Sequence, residues 1–142
     1  MAEHDTYRCL PIDKLGYAAG LIDGEGSIMV QNRSFIVMCI SNCNLDCLKF
    51  IHELFGVGNF HQDSFTGCNR ILINGQEAVN VLKAVLPYLI VKRELALTVI
   101  DWPFVGKGKR VADRDREMRG VIADHVHALN ARKTREAHYA EF

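Results

Sequence analysis

The order of elements constrains this chain more than any single residue does. A helix-length apolar stripe runs into a pair of short strands, and the pattern then occurs a second time. Residues 14–23 have helical spacing with Asp13 placed to cap them and Gly24 to end them. Two β-rich runs follow, 27–32 (SIMVQN) and 35–41 (FIVMCIS), around a turn at Asn32-Arg33-Ser34. Leu45, Leu48, Ile51, Leu54 and Phe55 make the second helical stripe, capped by Asn42 or Asn44 and stopped by Gly56. Strands near 57–63 and 70–73 then flank a loop at 64–69. Short connections join strands antiparallel. Two helix-hairpin units therefore predict one antiparallel sheet with helices on one face, an α/β chain of the α+β type. A helix over 76–86 with Val81, Leu82 and Val85 inward, a break at Pro87, a helix ending near Asp101, a VGKGK linker and a polar helix over 112–130 complete the reading.

The chain of 142 residues is long enough for one domain with a real core, and 49% hydrophobic with 24% charged is the composition of a globular protein. No apolar run reaches the roughly 18 residues of a membrane span. MAEHDTYRCL carries no basic-then-apolar leader, and the five cysteines (Cys9, Cys39, Cys43, Cys47, Cys68) are an odd number, so an intracellular, reducing location is expected. A net charge of zero weighs against a nucleic-acid partner. The charges are uneven, however: residues 103–142 hold nine Lys or Arg against six Asp or Glu, and the remainder holds eight against eleven.

The stretch GYAAGLIDGEGSI at 16–28 carries the chemistry. Gly16, Gly20 and Gly24 recur every four residues and leave a bare line on one helix face. Gly16 and Gly20 together cost roughly 2 kcal/mol of helix propensity, which close packing against another backbone offsets. That backbone is either another helix of this chain or the same helix of a second copy across a two-fold axis. In the second case two Glu25 carboxylates meet at the negative ends of two helices, a place for a divalent cation. A glycine-rich helix-to-strand turn with ordinary surface acids is the bland reading of the same spacing. A dinucleotide fingerprint would need glycine at Met29, and a calcium loop from Asp23 would need glycine at Ile28. Cys39, Cys43 and Cys47 lack paired zinc spacing, and His125 and His127 point apart on a helix.

AAGLIDGEG at 18–26 resembles the signature of the LAGLIDADG homing endonucleases, with Ala18, Gly24 and Glu25 as departures. ELFGVGNF at 53–60 and LPYLIVKRELAL at 86–97 resemble two further family stretches in the same order. The resemblance covers about 14–101, and more weakly the tail around ALNARK at 128–133. It implies an αββαββα fold and, with a single motif, a homodimer that cuts double-stranded DNA at a pseudo-palindromic site. Mg2+ is the implied cofactor, with Mn2+ substituting and Ca2+ binding without cleavage; an intron is the implied host.

Residue by residue, the resemblance implies metal binding at Glu25 and Gly24, and an interface of Gly16, Ala19, Gly20, Asp23 and Gly24, where Asp23 is mainly structural. Lys92 matches a lysine near the scissile phosphates; outside the resemblance it reads as a solvated helix lysine. Ser41 and Asn42 stand loosely where members place a polar residue beside the active site. The hairpins would form a concave sheet in the major groove. Strand parity then turns Ser27, Met29 and Gln31 to DNA, with Arg33 at the tip, and in the second hairpin Asn59, His61, Asp63 and Arg70. Residues 36–38 do not alternate, which leaves their faces open. The alternative is a non-cleaving DNA- or RNA-binding protein on the same scaffold, a maturase or a regulator. Neutral charge and the loose Ser41-Asn42 match favour it, while Glu25 and Lys92 favour cutting.

Overall fold

The computed structural model describes residues 7–140, and the side chains of 7 and of 9–131. Residues 1–6 of the leader reading, and the side chains of Arg132 and Lys133 in the tail motif, lie outside the described residues. After a 3-10 turn at Tyr7–Cys9 come α1 (Ile12–Glu25), β1 (Gly26–Gln31), β2 (Phe35–Asn42), α2 (Leu45–Phe55), β3 (Asn59–Gln62), β4 (Asn69–Asn74) and α3 (Gly75–Val85). A second 3-10 turn at Leu86–Tyr88 leads to α4 (Arg93–Val99) and the long α5 (Asp113–Ala140). The four strands form one antiparallel sheet in the order β1-β2-β4-β3, so the fold is α+β with the second strand of each hairpin in the centre.

Strand parity decides which side of the sheet is core. Ile28, Ile36, Met38, Ile40, Ile71 and Ile73 are all buried on one face, against α1, α2 and α3. Burying each such side chain contributes about 1.5–3 kcal/mol. The residues left open by sequence resolve here. Ile36 and Met38 point inward, and Val37 points to the other face, where its neighbours in the ladder are Met29 and Asn74.

Local signals placed most boundaries; both ends of α1 differ, and α5, expected to stop near 130, runs to Ala140. α1 begins after Pro11 without a side-chain cap, so Asp13 sits in its first turn rather than before it. Gly24 does not end the helix; Gly26 does. Its backbone turns extended at φ −85° and ψ 155°, and a Cβ there would lie 2.6 Å from the Ile22 carbonyl oxygen. Only glycine lets the chain leave the helix so close to its last turn. At α2 the cap is Asn44, whose Oδ1 accepts from the Asp46 amide at 2.9 Å, and Gly56 closes the helix at φ 66°.

α5 is fastened by polar contacts to what precedes it. Arg119 donates to the Pro103 carbonyl from Nε at 3.1 Å and Nη2 at 2.9 Å, with its guanidinium 5.3 Å from the ring centre of buried Trp102. Asn130 donates to the Ile28 carbonyl on edge strand β1 at 3.0 Å.

Candidate active site and open sheet face

α1 has two unlike faces. Leu15, Ala18, Ala19 and Ile22 are buried in the core. Gly16, Gly20 and Gly24 lie on the opposite side, and a Cβ added at any of them would meet nothing within 4 Å. Among the described residues, then, no helix of this chain fills the glycine line, which removes that reading. Ala19, expected beside the glycines at an interface, is instead 0% exposed inside its own chain. Its parity along the helix puts it with Leu15 and Ile22, not with Gly16 and Gly20.

Two acids end the helix in opposite states. The Asp23 carboxylate accepts the Ile90 amide at 2.8 Å on Oδ2 and the Lys92 amide at 2.9 Å on Oδ1. It therefore pins the segment before α4 to the end of α1, the structural role expected of it. Glu25 is exposed, and no described residue makes a hydrogen bond or ion pair to its carboxylate. Its charge is felt by two thiols. Burial raises the Cys47 thiol pKa, backbone amides oppose that, and Glu25 and Asp46 raise it further. Cys68 is raised first by its hydrogen bond with Cys43, then by burial and by the charges of Cys43, Asp63 and Glu25.

Lys92 is not the solvated helix lysine that its sequence context allows. It precedes α4 and is 2% exposed, the one polar or charged residue of the buried class among those described. Its Nζ donates to the Asp23 carbonyl at 2.6 Å, one of the carbonyls the end of α1 leaves without a helical partner. The Lys92 Nζ thus lies on the carbonyl of a residue two positions from Glu25. Periodicity carried no sign of this, because the contact spans 69 positions of sequence.

Ser41 and Asn42 end β2 near the same place, since Gly26, directly after Glu25, pairs with Ile40. Asn42 Oδ1 accepts the Asn44 amide at 2.8 Å, so this side chain shapes the entry to α2. Ser41 Oγ is 3.7 Å from Cys39 Sγ and lies on the open face opposite Arg70.

That open face follows from the register. One cross-strand row is Ser27–Cys39–Leu72–Asn59, the next Met29–Val37–Asn74, and a third Ser41–Arg70–His61. Ser27, Met29, Gln31, Asn59, His61 and Arg70 are all exposed on it, as parity predicts. Phe35, Leu72 and Asn74 share the face and were missed, although the same parity extended along β2 and β4 finds them.

Two expected members lie elsewhere. Arg33 occupies the turn with φ 54°, and its guanidinium reaches back to α5, 2.7 Å from Asp124 Oδ1. Both side chains are well exposed, so the pair contributes at most about 1 kcal/mol. Asp63 builds the second turn. Its Oδ1 accepts the Phe65 amide at 2.8 Å, the main reason its carboxyl is held below the ordinary range. An aspartate followed two residues later by an available amide is an Asx turn, a signal that strand parity overrode in the sequence reading.

No family model matches the chain, and no curated protein matches it. Solved structures do. The homing endonuclease I-CvuI in complex with the I-CreI target, in the presence of Mg and with the DNA not cleaved, has a TM-score of 0.67 at 22% identity over 82% of this chain and 81% of that one. I-CvuI in complex with its own target in the presence of Ca gives 0.66 at 21% identity, again over 82% and 81%. The LAGLIDADG meganuclease I-AabMI bound to uncleaved DNA gives 0.58 at 20% identity, covering 77% of this chain and 43% of that one. With the same helix-hairpin order, the same antiparallel sheet and helices on one side of it, this chain has the fold of the LAGLIDADG homing endonucleases.

Proposed function

We propose that the chain is a site-specific, double-strand DNA endonuclease that works as a homodimer with a divalent cation. The observation that carries this reading is the state of Glu25: an exposed carboxylate without a described bonding partner, at the end of a glycine line that no described residue covers. A second copy laid on that line buries the bare backbone and brings two Glu25 carboxylates together. The exposed apolar residues Ile90 and Val91, joined to the end of α1 through Asp23, extend the surface such a contact would bury.

The residues present suit a shared cation better than a private one. No group of three His, Cys, Asp or Glu able to hold a metal forms among the described residues of one chain. Glu25 and the Gly24 carbonyl, with the same groups of a second copy and phosphate oxygens, are hard oxygen donors of the kind Mg2+ prefers. When bound, such an ion lowers the pKa of water and steadies a leaving oxygen. The chain's own part is to hold Glu25 at the helix end. Lys92 and Asp23 fix that end, with the buried Lys92 Nζ donating to the Asp23 carbonyl. The open face supplies Gln31, Asn59, Asn74 and Arg70 for base edges, with Met29, Phe35 and Leu72 for thymine methyl groups.

A specific observation favours a second reading, a non-cleaving binder on the same scaffold. Asn42, loosely matched to a site residue, is held in an Asx turn, and with Arg33 turned to Asp124 the described cation on the open face is Arg70. Selection of bound duplexes from a randomised library in Ca2+, followed by transfer of the winners to Mg2+, separates the two. Specific binding with cutting of both strands is the expected result. Specific binding that never gives nicked or linear product in Mg2+ or Mn2+ leaves the binder, and no selectable duplex removes both.

A further inference from the structure

We propose that Cys43 and Cys68 form a reversible thiol-oxidation site, closed to an intrachain disulfide by a hydroperoxide or a small-molecule disulfide. The β2–β4 ladder ends at the pair Asn42 and Asn69, and one step further along the same register sets Cys43 opposite Cys68. Directly opposed residues of an antiparallel pair hold their Cβ atoms about 4.5–5.5 Å apart, close to the separation a disulfide spans. The two sulfurs are 3.9 Å apart already, with the Cys43 thiol directed at Cys68. The backbone on both sides is held. Asn69 Nδ2 donates to the Cys43 carbonyl at 3.4 Å, and the Asp63 amide donates to the Cys68 carbonyl at 2.9 Å. Rotation about the side chains, rather than movement of strands, closes the remaining gap.

The other thiols are engaged differently. Cys47 donates to the Asn44 carbonyl at 3.1 Å, and Cys39 is beside the Ser41 hydroxyl. Cys9, in the first 3-10 turn, is exposed and without a thiol neighbour among the described residues. Cys43 is the more exposed member of the pair and meets the oxidant first. With a hydroperoxide, its thiolate attacks the peroxide oxygen, giving a sulfenic acid and releasing the alcohol or water. The Cys68 thiolate then attacks that sulfur and displaces hydroxide, which the displaced thiol protons convert to water. Two thiols are oxidised to one disulfide and one peroxide bond is reduced. With a small-molecule disulfide, the first attack gives a mixed disulfide and one thiol, and the second releases the other.

The full chain is treated with hydrogen peroxide or oxidised glutathione, alkylated, and mapped by peptide mass spectrometry. Alkylatable thiols should fall from five to three, with a Cys43–Cys68 linked peptide that dithiothreitol removes. In glutathione, Cys43→Ser should leave Cys68 as a mixed disulfide. Earlier loss of Cys9, Cys39 or Cys47 overturns the proposal, as does a Cys68–Cys47 link forming in Cys43→Ser as fast as the wild-type link. Five thiols still alkylated after oxidant has acted overturn it as well.

Discussion

The two faces of α1 share one backbone and have opposite fates. On one side Leu15, Ala18, Ala19 and Ile22 are buried in the core; on the other Gly16, Gly20 and Gly24 look into open space. The two acids at the helix end divide in the same way. Asp23 holds two amides of a distant segment, while the exposed Glu25 carboxylate has no bonding partner among the described residues. The contrast shows that small residues in a helix have two uses. Alanine allows close approach within the fold, and the glycines leave a line of bare backbone on the outer surface.

The comparison breaks most sharply at the acids. Glu25→Gln removes a charge with no described partner, so folding should be unaffected and DNA binding in Ca2+ retained, whereas cleavage should fall by about a thousandfold or more, because an amide is a poor ligand for Mg2+. Plasmid linearisation measures this; a variant that cuts like wild type places the chemistry elsewhere. On the buried face, Ile22→Ala should cost about 2–5 kcal/mol in urea unfolding, since it opens a cavity in the core. A loss below about 1 kcal/mol would mean that the packed side is less rigid than its burial indicates.

Asp23→Ala comes next. It leaves the amides of Ile90 and Lys92 without their acceptor and should cost about 1–3 kcal/mol. Hydrogen exchange at those two amides should accelerate, and unchanged exchange would remove Asp23 from its structural role. The smallest effect on stability belongs to the open face. Gly20→Leu meets nothing in the monomer and should raise its stability by up to about 1 kcal/mol through helix propensity. The same variant should sediment as a monomer under conditions where wild type is dimeric. A dimer that persists with leucine at this position would show that the glycine line is not the contact.

Particular residues show how far sequence reading reached. Alternation placed Ile28 inward and Met29 and Gln31 outward, because a strand with one buried face must repeat every two residues. It could not place Val37, apolar on the outer face of a central strand. Spacing found the glycine line but took Gly24 for the end of the helix, since a glycine in the last turn and one just after it look alike until Ile22 crowds one of them. The turn position of Arg33 was legible, but its contact with Asp124 was not, because the two lie 91 residues apart.

The sequence by itself determined the order of helices and hairpins, the core side of most strands and the residues of the helix end, because periodicity, caps and turn chemistry act over a few neighbours. Only the tertiary structure decided that Lys92 is buried on the Asp23 carbonyl, that Asp23 holds a distant segment while Glu25 has no described partner, and that Cys43 faces Cys68. Those contacts join residues 25 to 69 positions apart, and such distances are closed by the sheet register and by core burial, which no local pattern encodes.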